Sequence, residues 1–292
     1  MKIDIKHKRG QNKVSDIITS PNNATIKLVK SLHIKKYRDE YDLYIVEGWK
    51  MVKEAIVENC PIHMLIYSQS FDIHKLKLDR EKKDIPLVCV ADNLFKKIGD
   101  VKTPQGIIGV LKKEQKDMDY ILSKNSGFWV VLDRVQDPGN MGTIIRTIDA
   151  AGGDGVVLLE GCVDPYNPKT IRSTMGSIFR IPIMKVGDSN DFFLKLKERQ
   201  AHIITSDMDG ENIFDWPGAR PDSIKVLVIG NESKGIRQEI HRMANSIVSI
   251  PIIGGAESLN ASVAAGIMIY EILRKEGKMG QEISCIRNRD ML

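Results

Sequence analysis

The sequence contains no run of eighteen apolar residues, so it offers no segment able to cross a bilayer as a helix. Its first residues, MKIDIKHKRGQNK, are charged and lack an apolar core, which excludes a secretory signal peptide. The four cysteines (Cys60, Cys89, Cys162, Cys285) show no CxxC or other metal spacing, and are read as reduced thiols, buried or at the surface, of a cytoplasmic protein. The six histidines form no HxxxH pair, which argues against a zinc hydrolase, so no metal is expected. Neither GxGxxG nor the GK[ST] ending of a phosphate-cradling loop occurs, and a nicotinamide-dependent oxidoreductase therefore lacks its fingerprint.

At 292 residues the chain has room for two domains. Its net charge of +5 is unevenly spread: residues 1–124 carry a net of +7, residues 125–292 a net of −2. A basic half suggests an anionic partner held there, although a solvated Lys-rich surface has the same composition.

Residues 1–17 form a polar tail, expected to be loosely ordered. From Ser20 the chain reads as a helix with Ser20 as cap and Pro21 at the first helical position. Lys27, Lys30, Lys35, Lys36 and Arg38 crowd its polar side, either as a solvated face or as phosphate contacts. Strands at 43–48, 63–68, 85–90 and within 103–113 then alternate with helices at 49–59 and 92–98. The reading is a small α/β domain over 18–112, then a linker or connecting helix over 113–125. From 126 to 276 apolar strands such as WVVL and VLVI alternate with helices, as in a buried, mostly parallel α/β sheet. The tail 277–292 is polar and peripheral.

Ligands of such sheets sit beyond the carboxyl ends of the strands. Three polar loops, DRVQDPGNMG, GNESKG and GGAESLN, each follow an apolar strand and so share one edge. Asn140 opens a helix after the first, with Arg146 further along it. An arginine on an otherwise apolar helix face meets either an anion or a structural partner, here Asp149 or Asp154. The third loop leads into a helix that is apolar on most sides and therefore expected to be buried, with small Ala261, Ala264, Ala265 and Gly266 admitting another backbone or a flat ligand. Glu257, Ser258 and Asn260 precede it, Ser258 being a plausible cap and the free N–H groups a place for polar ligand groups.

The order NxxxxxR after a strand, GNESKG, then IPIIGGAESLNASVAAGI resembles the three motifs of the SpoU (TrmH-type) RNA ribose 2′-O-methyltransferases. YIVEG and TPQGIIGV in the first half resemble the ribosomal-protein-like RNA-binding domain found ahead of them in many members. The resemblance implies S-adenosyl-L-methionine as methyl donor, a ribose 2′-hydroxyl of RNA as acceptor, a homodimer, and a C-terminal trefoil knot that periodicity does not predict. By motif position it implies Asn140, Arg146, Glu232, Ser258 and Asn260 at the reaction centre, and Thr205, Gly230, Ile250 and Leu259 around the donor. It favours large-subunit ribosomal RNA as substrate. Transfer RNA, or a non-catalytic RNA-binding or assembly role on the same fold, are the alternatives, and the latter has no use for the polar motif residues.

Overall fold

Apolar runs bounded by polar turns become strands of two separate sheets. The computed structural model describes residues 17–76, 85–101, 103–114, 116–220 and 222–277, so the polar ends 1–17 and 277–292, but for Ile17 and Gly277, lie outside the described residues. The chain divides into two units: Met1–Lys53 with Pro61–Lys112, and Glu54–Cys60 with Lys113–Leu292.

The first unit holds β1 (Leu43–Glu47), β2 (Ile62–Ser68), β3 (Leu87–Val90) and β4 (Ile107–Lys112) in the order β1-β4-β2-β3. β4 runs antiparallel to both neighbours, while β2 and β3 are parallel. The carboxyl ends of β1, β2 and β3 therefore meet the start of β4 at one edge. Ile18 adds a parallel bridge to Val90. α1 (Ala24–Ser31) and α2 (Lys35–Tyr41) precede β1, followed by α3 (Trp49–Val57) and α4 (Asp92–Phe95). Ile26, Val29 and Leu32 of the α1 region pack with Ile45, Ile66, Phe95 and Val110.

Two expectations for this region are corrected. Asn23, not Ser20, caps α1, its Oδ1 accepting from Thr25 N at 2.8 Å, while Ser20 to Asn23 form a turn. The helix also breaks at Ile34, whose extended backbone (φ −101°, ψ 129°) starts α2. Arg38 does not share the exposed lysine face: it is 2 % exposed and its Nη1 donates to Leu32 O at 2.8 Å, satisfying a carbonyl at the end of α1. Lys27, Lys30, Lys35 and Lys36 are exposed.

The second unit contains β5 (Gly127–Leu132), β6 (Gly155–Leu158), β7 (Ile183–Lys185), β8 (His202–Asn212), β9 (Ile224–Ile229) and β10 (Ser246–Ser249). They form one sheet in the order β10-β8-β9-β5-β6-β7, every pair parallel. β5 and β9 are buried along their whole length, as strands covered on both faces must be. The helices are α5 (Met118–Leu122), which realises the connecting segment, α6 (Pro138–Ala150), α7 (Pro168–Thr174), α8 (Ser189–Glu198), α9 (Gln238–His241) and α10 (Ala261–Lys275). One core joins Trp129, Val131, Phe192, Phe193, Val226 and Val228.

β8 continues well past Ser206. Its pairing with β10 jumps from Ile247↔Thr205 to Val248↔Glu211, so Ser206 to Gly210 arch out of the ladder. A Cβ on Gly210 would lie 2.6 Å from the carbonyl carbon of Val248, so this arch needs a glycine where it returns. α10 departs from the all-round burial its composition suggested: Ala265, Met268, Ile269, Ile272 and Leu273 are buried, but Val263 is 51 % and Tyr270 41 % exposed. The buried stripe recurs every three to four residues, and the small residues between cover little surface.

Candidate active site

Parallel strands all point one way, so loops far apart in sequence emerge side by side. β5 and β9 are neighbours, which places the loop after Leu132 next to the loop after Ile229. Asp133 is fully buried, and Arg134 in the left-handed region (φ +59°) turns the chain sharply. Asp137 caps α6, its Oδ1 accepting from Asn140 N at 2.8 Å, and Pro138 takes the first turn. The helix thus begins ahead of Asn140, which is 9 % exposed.

After β9, Asn231 and Gly235 close a tight turn with paired backbone bonds of 3.1 and 3.0 Å. Asn231 Oδ1 accepts from Ser233 N and Lys234 N at 3.0 Å, and its Nδ2 donates to Arg134 O at 2.9 Å. Gly230 has no room for a side chain: a Cβ would lie 2.4 Å from the carbonyl carbon of Gly235. The third loop ends at Asn260, which replaces Ser258 as the cap of α10. Its Oδ1 accepts from Ser262 N at 2.9 Å and Val263 N at 3.4 Å, an arrangement Ser258 is too far upstream to make.

One amide ties the three loops together. Asn140 Nδ2 donates to Glu232 Oε1 at 2.9 Å, and Asn140 Oδ1 accepts from Asn260 Nδ2 at 3.0 Å. Behind this chain, Arg237 N and Nε donate to the two oxygens of buried Asp133 at 2.9 Å each, anchoring the end of the second loop to the end of β5. A cleft of about 530 Å³ opens beside these loops. Ile236, Ile250, Leu259 and Met268 give it apolar walls, Ala261 and Ala264 admit close approach, and Asp207, Asp209 and Glu232 make it acidic. His241 steadies the arch on the acidic side, its Nδ1 lying 3.0 Å from Thr205 Oγ1 and its Nε2 3.2 Å from Asp207 Oδ2.

Of the residues singled out in the sequence, Gly230, Glu232, Ile250, Ser258 and Leu259 line this cleft, and Asn140 and Asn260 join it through their bonds to one another and to Glu232. Thr205 does not line it: the side chain is fully buried and bonded to His241, and its neighbour Ser206 takes the wall position. Arg146 lies outside the lining as well. It is exposed on α6, not on an apolar buried face, because the buried stripe of that helix runs through Met141, Ile144, Ile145 and Ile148. Nor do the proposed structural partners hold it: Asp149 accepts from Arg180 Nη2 at 2.7 Å and Asp154 from Phe128 N at 2.7 Å. The next residue, Thr147, faces α10, 3.7 Å from where a Cβ on Gly266 would sit.

Asp133, Asn231, Arg237 and the arch residues Asp207 and Asp209 were missed. An aspartate directly after an all-apolar strand was the available signal for Asp133, whereas its partner 104 residues on required the sheet order. The cleft's chemistry suits a flat, partly apolar group bearing positive charge: aliphatic walls and small residues accept a purine nucleoside, and the carboxylates favour a cation such as a sulfonium.

Comparison with known proteins agrees with this geometry. Residues 127–270 match the SpoU rRNA Methylase family and residues 23–109 the MRM3-like substrate binding domain. The 23S rRNA (guanosine(2553)-2'-O)-methyltransferase RlmP of Bacillus subtilis is 31% identical over 87% of this chain and 98% of its own length. The 23S rRNA (uridine(2479)-2'-O)-methyltransferase of Streptomyces viridochromogenes is 29% identical over 80% of this chain and 83% of its own. Among solved structures, the AdoMet-bound rRNA methyltransferase from Sinorhizobium meliloti superposes with a TM-score of 0.79 at 32% identity, covering 88% of this chain and 97% of that one. A parallel sheet with its polar strand-end loops bonded into one cleft, and a likeness that spans both units, lead to one conclusion: the chain belongs to the SpoU rRNA methylase family.

Proposed function

We propose that this protein transfers a methyl group from S-adenosyl-L-methionine to a ribose 2′-hydroxyl of ribosomal RNA, with large-subunit RNA as substrate. The observation that carries the reading is the hydrogen-bonded chain Glu232–Asn140–Asn260, which ties three strand-end loops together beside one acidic, apolar-walled cleft lined by the second and third of them. The donor, when bound, supplies an electrophilic methyl group on a sulfonium, so the chain's own task is positioning and charge stabilisation.

Gly230, Ile250 and Leu259 support the donor largely through backbone and aliphatic contact, and Thr205 acts at one remove by holding the arch through His241. Asn140, Glu232, Ser258 and Asn260 form the polar rim that orients the ribose. Arg146 makes no ion pair among the described residues and is exposed, so its guanidinium is available to an RNA phosphate. It stabilises the negative charge that develops on the 2′-oxygen as the hydroxyl proton passes to water, and does not act as the base, because a guanidinium stays protonated. Arg146→Lys is therefore expected to lose turnover, since a point charge replaces a planar fork. Full turnover in that variant would remove Arg146 from the reaction.

The first unit supplies RNA affinity through its exposed Lys27, Lys30, Lys35 and Lys36. Exposed Ile253, Leu259 and Val263 near the third loop support a homodimer in which a second copy covers them. The trefoil knot follows from the family. A ribosomal RNA substrate places the action in the cytoplasm; no described helix is long and apolar enough to cross a membrane. The decisive experiment is transfer of labelled methyl from the donor to ribosomal RNA, followed by nucleoside analysis. A 2′-O-methylated nucleoside in 23S RNA is expected; label confined to bases, or to transfer RNA, would contradict the reading.

A further inference from the structure

The first unit carries a cavity of about 680 Å³ at the edge where the ends of β1, β2 and β3 meet the start of β4. It owes nothing to the three motif loops. Trp49 and Phe71 stand on it with ring centroids 6.2 Å apart and planes tilted by 48°. Its frame is fixed by polar bonds: Gln105 Oε1 accepts from Trp49 N at 2.7 Å, and Asp92 Oδ1 accepts from Ser70 N at 3.0 Å and Ser70 Oγ at 2.9 Å. Gly106, in the left-handed region (φ +78°), closes the base, where a Cβ would lie 2.7 Å from Ser68 Oγ and 3.2 Å from Phe71 Cβ. Exposed Lys75 and Lys96 stand on the rim.

Half-exposed aromatic rings over a polar, glycine-floored hollow with cations at its mouth are what an unstacked nucleobase needs: a ring face to lie on, hydrogen-bonding groups at its edge and positive charge for the flanking phosphates. A merely solvated surface has no reason to leave two large rings half-covered beside a rigid hollow. The geometry points to this cavity as a receptor for one unpaired base of the substrate RNA, stacked against Trp49 and Phe71 with its phosphates on Lys75 and Lys96. This rests on the reading of the chain as an RNA methyltransferase and adds the place where its first unit holds single-stranded RNA. The carboxylate of Asp72 serves a local turn, accepting from His74 N at 3.1 Å, and that of Asp92 is engaged by Ser70.

The chain carries its own probe. Of the three tryptophans, Trp129 is 0 % and Trp216 2 % exposed, so Trp49 alone can meet a base. The intact protein is titrated with a mixed-sequence single-stranded RNA hexamer and, separately, with a blunt RNA duplex while indole emission is followed. Affinity for the hexamer is then measured for Phe71→Ala and Trp49→Phe, with donor binding and melting temperature as controls of folding. Quenching by the hexamer and not the duplex is expected, with about a 10-fold loss of affinity in Phe71→Ala, the size of one base–aromatic stack. Trp49→Phe should keep affinity within about 3-fold while abolishing the quench, since a phenyl ring still stacks. Hexamer binding without quenching, at an affinity Phe71→Ala does not change, overturns the base receptor. If ribosomal RNA is still methylated in that case, the enzyme reading stands alone; if neither RNA binding nor methyl transfer occurs, both fall.

Discussion

The two sheets place chemistry at their strand ends by different means. In the six-stranded sheet every strand points the same way, so residues as distant as Asn140 and Asn260 arrive at one edge and bond side chain to side chain. In the four-stranded sheet β4 runs against its neighbours, and its pocket is framed by main-chain geometry with single side-chain ties such as Gln105 to Trp49 N. The first arrangement couples loops to one another, so one substitution disturbs several. The second leaves each wall resting on its own strand, so damage stays local.

That contrast can be broken in order of expected size. Arg237→Ala leaves the fully buried Asp133 carboxylate without its main partner, and about 3 kcal/mol of stability should go with it, read as a lower melting temperature. Unchanged melting would mean the second loop is not anchored through that pair. Asn140→Asp keeps the acceptor facing Asn260 but sets a carboxylate against Glu232, so turnover should fall about 100-fold from misplacement while the fold survives. Wild-type turnover would uncouple the loops from the chemistry. Gln105→Ala, by contrast, should cost about 1 kcal/mol or less and leave donor binding intact, since only Trp49 N loses its acceptor.

The smallest effect lies at the opposite edge of the parallel sheet, where His202 begins β8. Burial, then the Lys225 charge, hold His202 below its ordinary pKa of 6.5. Between that lowered value and 6.5 the unfolded chain binds more protons than the folded one. Stability should thus be unaffected above 6.5 and decline as pH falls through that window. His202→Gln should flatten the decline, as measured by melts at mildly acidic and neutral pH; parallel curves would rule the residue out.

The strands were legible because buried parallel strands are written as unbroken apolar runs: WVVL and VLVI gave β5 and β9 almost to the residue. GNESKG was legible as a polar loop after an apolar strand, though the reason Gly230 is irreplaceable, its contact with the Gly235 backbone, is visible only in three dimensions. Cap positions were misread because Ser20 and Ser258 compete with Asn23 and Asn260, and the residue type alone does not say which side chain reaches a free N–H. Arg38 and Arg146 were each misplaced for a related reason. A cation's burial depends on which carbonyl or solvent it faces, and in this chain Arg38 met Leu32 O while Arg146 faced out. Strand order, which sets β9 beside β5 and so joins Asp133 to Arg237, has no local signature at all.

The central claim is that the strand-end loops of the parallel sheet make a single donor cleft, and calorimetric titration of the intact protein with S-adenosyl-L-methionine tests it most directly. One donor should bind per chain, NAD should give no heat, and Gly230→Ala, whose new methyl would push against the Gly235 carbonyl, should weaken the donor about 10-fold or more. A wild-type protein that ignores the donor, or a folded Gly230→Ala that binds it as tightly as the wild type, would contradict the account.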